Sequence, residues 1–310
     1  MSSLVGGDPD KVYFTSGGTE ANNLALRGAG REHIFATAVE HVSVLSGADN
    51  VKQISTDNNG VVDIDCVEKL LKNCPDGALI SIMLANNETG VIQPVAKVAE
   101  IARGRGALVH CDAIQAVGKI ACNIKELGVD FLSLSAHKIG GPQGAGALVC
   151  RDGIKLKAIN RGGGQERGVR SGTENLSGIA GFGAAAIDAD QGLASYSSLS
   201  ELRDFLEVQI KSITATQIFG SNVPRLPNTS CFTMPGVEAE TQVIGLDLAG
   251  FAISSGSACS SGKVERSHVL AAMGIKDSEA KTAIRVSLGW DTKQVDIERF
   301  VDAWAGTHSF

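Results

Sequence analysis

The chain has 310 residues, of which 43% are hydrophobic and 20% charged, and a net charge of −6. That length allows one large domain and a smaller one, and the composition suits a protein with a large buried core. The acidic balance gives no reason to expect nucleic acid or a membrane surface as partner, and no uninterrupted apolar stretch is long enough to span a bilayer. Seven cysteines, none in a Cys-x-x-Cys pair, fit thiols in a reducing compartment better than a disulfide frame or a zinc site. The first residues, Met1 to Pro9, lack the basic and apolar regions of a signal peptide, so a cytoplasmic protein is expected.

In chain order, apolar runs at Val12–Thr15, Ile34–Thr37, Val51–Ile54, Ala78–Leu84, Ala107–His110, Val129–Leu134 and Ala145–Val149 read as strands. Helical patterns fall between them. Ala21–Arg27 follows the first strand. Pro94–Ala102 is the clearest, with Val95, Val98, Ala99 and Ala102 at i, i+3, i+4 and i+7 behind a proline suited to a first helical position. Strands alternating with helices predict a mostly parallel sheet covered on both faces, with ligands at the carboxyl ends of the strands. From about residue 185 the pattern changes to long polar helices, Leu199–Ile213 being the most evident. Turn signals follow at Pro224, Pro227 and Pro235-Gly236, and a last helix at Val295–Ala303. The expectation is a large α/β domain over 1–190 and a smaller α+β domain over 191–310.

Phe14-Thr15-Ser16-Gly17-Gly18-Thr19-Glu20 leads from a strand into a helix. Glycines and a hydroxyl at a helix start can hold a single phosphate on free backbone N–H groups, or can be a plain turn with Thr19 as N-cap. His41 follows Glu40 just beyond a strand, and an imidazole there can stack on a planar ring or be an ordinary polar residue. Asn86-Asn87-Glu88 closes another strand and reads equally as a turn. Asp112, at the end of His110-Cys111-Asp112, can pair with a protonated ring nitrogen or cap a helix over Ala113–Val117. Ser135-Ala136-His137-Lys138 delivers an amine to a strand end beside Gly140-Gly141. A desolvated lysine there is a nucleophile toward an aldehyde, whereas a solvated loop lysine is inert. The run Ser254–Gly262 presents Cys259 among small residues, placed to travel and react, and the six other cysteines read as packing residues. Arg285, a charge inside a strand-like run, calls for a partner: a substrate carboxylate or a structural acid.

The ordered set Thr15–Glu20, Glu40-His41, Asn86-Asn87-Glu88, Asp112 with Gln115, Ser135 with His137-Lys138, Arg161–Thr173 and the Cys259 loop resembles the cysteine desulfurases. These are pyridoxal-phosphate enzymes of the class V aminotransferase family, and the loop resembles the group that supports iron–sulfur cluster assembly. The resemblance implies a fold-type I transferase with a mostly parallel seven-stranded sheet and a smaller α+β C-terminal domain carrying the Cys259 loop. It implies that Lys138 holds pyridoxal 5'-phosphate, that Gly18, Thr19, Ser135 and His137 bind its phosphate, and that Asp112 pairs with its ring nitrogen. Asn87 and Gln115 would contact the ring hydroxyl, and His41 would stack on the ring face. Thr173 would reach a phosphate in a partner subunit, implying a homodimer. Arg285, helped by Asn87, would take the substrate carboxylate. Lys138, Cys259 and His41 would then convert L-cysteine to L-alanine, the sulfur passing to Cys259 as a persulfide and on to an acceptor or iron–sulfur scaffold protein. No intrinsic metal is implied, Cys259 serving at most as a transient iron–sulfur ligand.

The family pattern also implies a segment before the first large-domain strand that helps cover the active site, whereas this chain begins almost at Val12. Two other readings share the residues. A selenocysteine lyase could use the whole apparatus, while a transaminase would need no loop thiol. A non-catalytic scaffold would be free to lose Lys138, Asp112 or Cys259, and all three are present.

Overall fold

The computed structural model describes residues 1–74, 77–256 and 266–307, together with the backbone of 259–260 and 263–264. Two compact units form. The first comprises Met1–Ser55, Val62–Ala85 and Gln93–Leu193, and the second Thr56–Val61, Asn86–Ile92 and Ala194–Phe310. A single boundary between 190 and 191 therefore does not describe them. Main-chain bonds tie Asn86–Ile92 to residues far along the chain: Ile92 N–H donates to the Pro224 carbonyl at 2.9 Å and Leu226 N–H to that of Gly90 at 2.8 Å.

The first unit is a seven-stranded sheet. Its strands are β1 (Val12–Thr15), β2 (His33–Thr37), β3 (Lys52–Ile54), β4 (Ala78–Met83), β5 (Leu108–Asp112), β6 (Phe131–Ser135) and β7 (Gly146–Cys150). Across the sheet they run β1-β7-β6-β5-β4-β2-β3. The run from β3 to β6 is parallel, whereas β7 is antiparallel to both β6 and β1. The sheet is thus mostly parallel, as the alternation of strand and helix requires. β4, β6 and β7 are buried at every residue, which is why they read as unbroken apolar runs.

The α-helices described in this part of the chain are α1 (Gly18–Gly28), α2 (Val42–Leu45), α3 (Ile64–Lys72), α4 (Val95–Arg103), α5 (Ile124–Leu127) and α6 (Leu176–Ser197). The stripe Ala21, Leu24 and Ala25 of α1 packs into a core with Leu79, Phe131 and Leu148. Burying a side chain such as Leu24 contributes about 1.5–3 kcal/mol. α6 was not legible as an element, because apolar and small residues cover it all round.

The second unit holds α7 (Leu199–Ile213), β8 (Thr229–Thr233), α8 (Ala239–Leu248), β9 (Ser254–Ser255), β10 (Cys259–Ser260), β11 (Lys263–Val264), α9 (His268–Ala272), α10 (Asp277–Ala280), β12 (Ala283–Ser287) and α11 (Gln294–Thr307). β8, β12 and β9 form an antiparallel sheet in that order, and β10 pairs with β11. Its core centres on Trp304, whose ring meets Phe232 edge-on at 5.5 Å and whose indole N–H donates to Gln242 at 3.0 Å. Among the described residues, no helix is long and apolar enough to cross a membrane.

Candidate functional site

Parallel strands end at one edge of the first unit's sheet, and the chemistry-bearing residues follow those ends. The register runs Thr15–Gly146–Ser135 across β1, β7 and β6, and β5 places Asp112 beside Ser133 of β6. The turn from β1 into α1 lies against this row. A methyl group added at Gly18 would stand 2.2 Å from Ile114 and 3.5 Å from the Ser135 Cβ, and one at Gly146 would stand 2.5 Å from the Gly17 backbone. Only glycine allows so close an approach.

Helix α1 starts without a side-chain cap, its N-cap being Gly17. Thr19 is therefore not the cap; it is exposed on the first turn. Glu20, which could have neutralised the N-terminal amides, is turned away. Its carboxylate accepts from Ser16 N–H at 2.7 Å and from Arg170 Nε at 2.8 Å. Burial pushes Glu20 up, but the Arg170 and Ser16 bonds outweigh it and hold the carboxyl below its ordinary range. An uncapped helix start with small residues and a hydroxyl suits a phosphate.

Ser135 is buried, and its hydroxyl is 2.9 Å from Nδ1 of His137. Lys138 sits in a 3₁₀ turn, Ala136–Ile139, and its side chain is exposed. The expected desolvation of this amine is therefore not a property of the chain by itself, because Gly140 and Gly141 leave it open. Gln115 is half-buried and its carbonyl accepts from Lys119 Nζ at 3.0 Å.

Asp112 ends β5 with a carboxyl that is only 5% exposed. One oxygen accepts from Ile114 N–H at 2.9 Å and the other from Asn22 Nδ2 at 2.8 Å. The first bond is cap-like, yet residues 113–117 form turns rather than a helix. Burial pushes the Asp112 pKa up, against the Ile114 and Asn22 bonds and the charge of His41. A buried carboxylate whose bonded partners are both neutral suits a cationic ring nitrogen. His41 is exposed and caps α2, accepting at Nδ1 from Ser43 N–H at 3.1 Å, with the Ser43 hydroxyl 2.8 Å away.

Glu40, beside His41, is fully buried. Thr37 Oγ1 and Met83 N–H donate to its Oε1 at 2.5 and 2.6 Å. Burial raises its pKa to about 8, opposed by the Thr37 and Met83 bonds and reinforced by Asp112. Since the folded value exceeds the ordinary 4.5, the stability this group contributes is present below pH 4.5 and is lost as pH rises through about 8. Glu40→Gln removes that titration. Its melting temperature should fall by roughly 5–10 °C less than that of the unmodified chain between roughly pH 5 and pH 9. Parallel melting curves across that range would contradict the assignment.

Thr173 is exposed and lines a shallow cleft with Thr15, Ser16 and Arg170. The segment leading to it is strained, with Glu166 and Arg167 at φ 45° and 56°. Phe14 N–H, which donates to Glu166 at 2.9 Å, and the Tyr13 ring 4.6 Å from the Arg167 guanidinium hold it in place.

In the second unit, Arg285 on β12 donates from Nη1 to the Asn87 carbonyl at 2.8 Å and from Nη2 to Ser254 Oγ at 3.0 Å. Its Nε and the Asn87 Oδ1 are buried without a hydrogen-bond partner. The unsatisfied Nε of the half-buried Arg285 is a charged donor that suits a carboxylate ligand, whereas the Asn87 Oδ1 is an acceptor and calls for a donor such as a hydroxyl. Glu88 is buried nearby in sequence; burial lifts its pKa to about 7, against the Ser267 hydroxyl and the Arg285 charge. Asn86 is structural, its Oδ1 accepting from the N–H groups of Glu88 and Thr89 at 2.9 Å. Cys259 lies outside the described residues as regards its side chain. Burial pushes up the thiols of Cys111, Cys122, Cys150 and Cys231, to about 12 for Cys122 and Cys150, which makes them inert.

Gly18, Thr19, His41, Asp112, Gln115, Ser135, His137, Lys138 and Thr173 thus belong to the first unit, and Asn87 and Arg285 to the second. Asn22, Ser43 and Ser254 were missed. A signal existed for Asn22, which takes the i+4 place on the stripe Gly18, Ala21, Ala25 and is fully buried.

The family model for class-V aminotransferases matches residues 1–300. A cysteine desulfurase of Cereibacter sphaeroides is 43% identical over 96% of this chain and 80% of its own length. The protein called cysteine desulfurase IscS 1 of Archaeoglobus fulgidus is 38% identical over 99% of this chain and 83% of its own. Among solved structures, a NifS-like protein from Rickettsia africae superposes with a TM-score of 0.90 at 39% identity, covering 97% of this chain and 82% of that one.

Proposed function

The chain belongs to the class-V aminotransferase family, alongside its cysteine desulfurases, and from that premise we propose that it converts L-cysteine to L-alanine and hands the sulfur to a protein acceptor. The observation that carries this reading is the buried Asp112 carboxyl, which accepts from the neutral Asn22 amide and Ile114 N–H, on the sheet edge that also bears Ser135 and Lys138.

The residues fit pyridoxal phosphate. Lys138 would hold it through the ε-amine; Gly18, Thr19, Ser135 and His137 would bind its phosphate, Asp112 its ring nitrogen, Gln115 and Asn87 its hydroxyl, and His41 its face. When bound, the cofactor supplies an electron sink that weakens bonds at an amino acid's α-carbon. Arg285 and Asn87 orient the substrate carboxylate. The Lys138 amine moves the α-proton. Cys259, as thiolate, attacks the substrate sulfur: an S–S bond forms, the carbon–sulfur bond breaks, and its electron pair returns to carbon, which takes a proton to become alanine. The sulfur remains on Cys259 as a persulfide until an acceptor thiol, iron–sulfur scaffold or other sulfur-cofactor assembly, removes it. Thr173, on an exposed cleft, would serve the phosphate of a second copy in a cytoplasmic homodimer.

With cofactor, L-cysteine and a reductant, alanine and sulfide should accumulate in equal amounts; pyruvate and ammonia in place of alanine would overturn the reading. Arg285→Leu should raise KM for L-cysteine by roughly 10- to 100-fold, the worth of a charge-assisted bond pair, with a smaller change in kcat. An unchanged KM would remove Arg285 from the substrate.

A further inference from the structure

Four side chains of the first unit form a continuous hydrogen-bonded line from the buried Asp112 to the exposed His41. Asn22 Nδ2 donates one hydrogen to Asp112 Oδ2 at 2.8 Å and the other to Ser43 Oγ at 2.9 Å. Both hydrogens of the amide are then used. Its carbonyl, Oδ1, is buried and has no hydrogen-bond partner. Against an ionised Asp112, the reversed amide would set a carbonyl oxygen on the carboxylate and bury two N–H groups with nothing to receive them, so the charge on Asp112 fixes the amide's direction. Ser43 Oγ, already accepting from Asn22, has its own hydrogen left to give, and Nδ1 of His41 lies 2.8 Å away. Ser43 N–H points at the same nitrogen at 3.1 Å. Two donors converge on Nδ1, which leaves no room for a proton there.

We propose that Asn22 and Ser43 are positioning residues that lock neutral His41 in the form carrying its proton on Nε2, with the direction of the lock set by the charge on Asp112. His41 then gives or takes a proton only at Nε2, and its ring is held at a fixed tilt by its bonds to Ser43. The chemical use of that proton rests on the function proposed above, but the lock belongs to the chain alone. It also gives the buried, otherwise unexplained Asn22 a role on an apolar helix stripe.

The test is ¹⁵N nuclear magnetic resonance of the full chain labelled at histidine, with and without pyridoxal phosphate, at a pH where His41 is neutral. The His41 signals are identified by their loss in His41→Gln. The expected spectrum has a bare Nδ1 and a protonated Nε2. Asn22→Leu frees the Ser43 hydroxyl to turn, and Ser43→Ala removes it; each should raise the proportion of the Nδ1–H form by roughly fivefold, the worth of one neutral hydrogen bond. Asn22→Asp, which replaces a donor by an acceptor, should raise it at least as far. A mainly Nδ1–H imidazole in the unmodified chain overturns the proposal whether or not any variant folds. So does an unchanged ratio in folded Asn22→Leu. A chain that makes no alanine yet shows the predicted tautomer would remove the proposed function and leave the lock standing.

Discussion

Lys138→Ala is expected to abolish the visible absorption that a lysine-held pyridoxal phosphate gives, and to lower kcat by roughly 10⁴-fold or more. Both effects follow from one amine. The 3₁₀ turn Ala136–Ile139 projects Lys138 from the end of β6, three residues beyond the buried Ser135, and the side chain is exposed. Without the amine, the groups assigned to the phosphate and ring keep bonds of their own, Ser135 to His137 and Asn22 to Asp112. The variant should therefore still bind the cofactor, but non-covalently and with the spectrum of the free aldehyde. Substitution of an exposed residue should leave the melting temperature nearly unchanged. Retention of the lysine-type band would move the covalent attachment to another amine.

Cys259→Ser should abolish alanine and sulfide formation while leaving the cofactor spectrum intact. A serine hydroxyl is nearly isosteric but is not ionised near neutral pH and is a poor acceptor of sulfur, so the loss falls on the sulfur-transfer step alone. The buried thiols of Cys111, Cys122, Cys150 and Cys231 are poor substitutes, since burial pushes all four up, to about 12 for Cys122 and Cys150. Peptide mass analysis after exposure to L-cysteine should find one added sulfur on the Cys259 peptide of the unmodified chain and none in the variant. Desulfuration at an undiminished rate by Cys259→Ser would show that another group takes the sulfur.

Much of this arrangement was legible because apolar runs record burial directly. Val12–Thr15 and Leu199–Ile213 were read with the ends the structure gives them. The apolar run behind β5 was read over Ala107–His110 with Asp112 closing the strand, and the strand runs Leu108–Asp112, which carries that carboxyl into the sheet edge. The direction of β7 was not legible, since a buried strand reads alike parallel or antiparallel. Nor was the assignment of Thr56–Val61 and Asn86–Ile92 to the second unit, which goes with bonds to residues far along the chain, from the Thr56 hydroxyl to the Ala272 carbonyl and through the main chain of Gly90 and Ile92. In the site, residues at strand ends were found because position alone exposes them. Asn22 and Ser43 escaped because their meaning lies in the pairing of side chains from α1 and α2 with Asp112 and His41, which no local pattern encodes.

The most direct measurement is the visible absorbance of the reconstituted protein before and after adding L-cysteine. The account predicts a yellow protein whose band changes at once on addition and returns as alanine accumulates and substrate is exhausted. A protein that stays colourless with pyridoxal phosphate, or a band that L-cysteine leaves untouched, would contradict it.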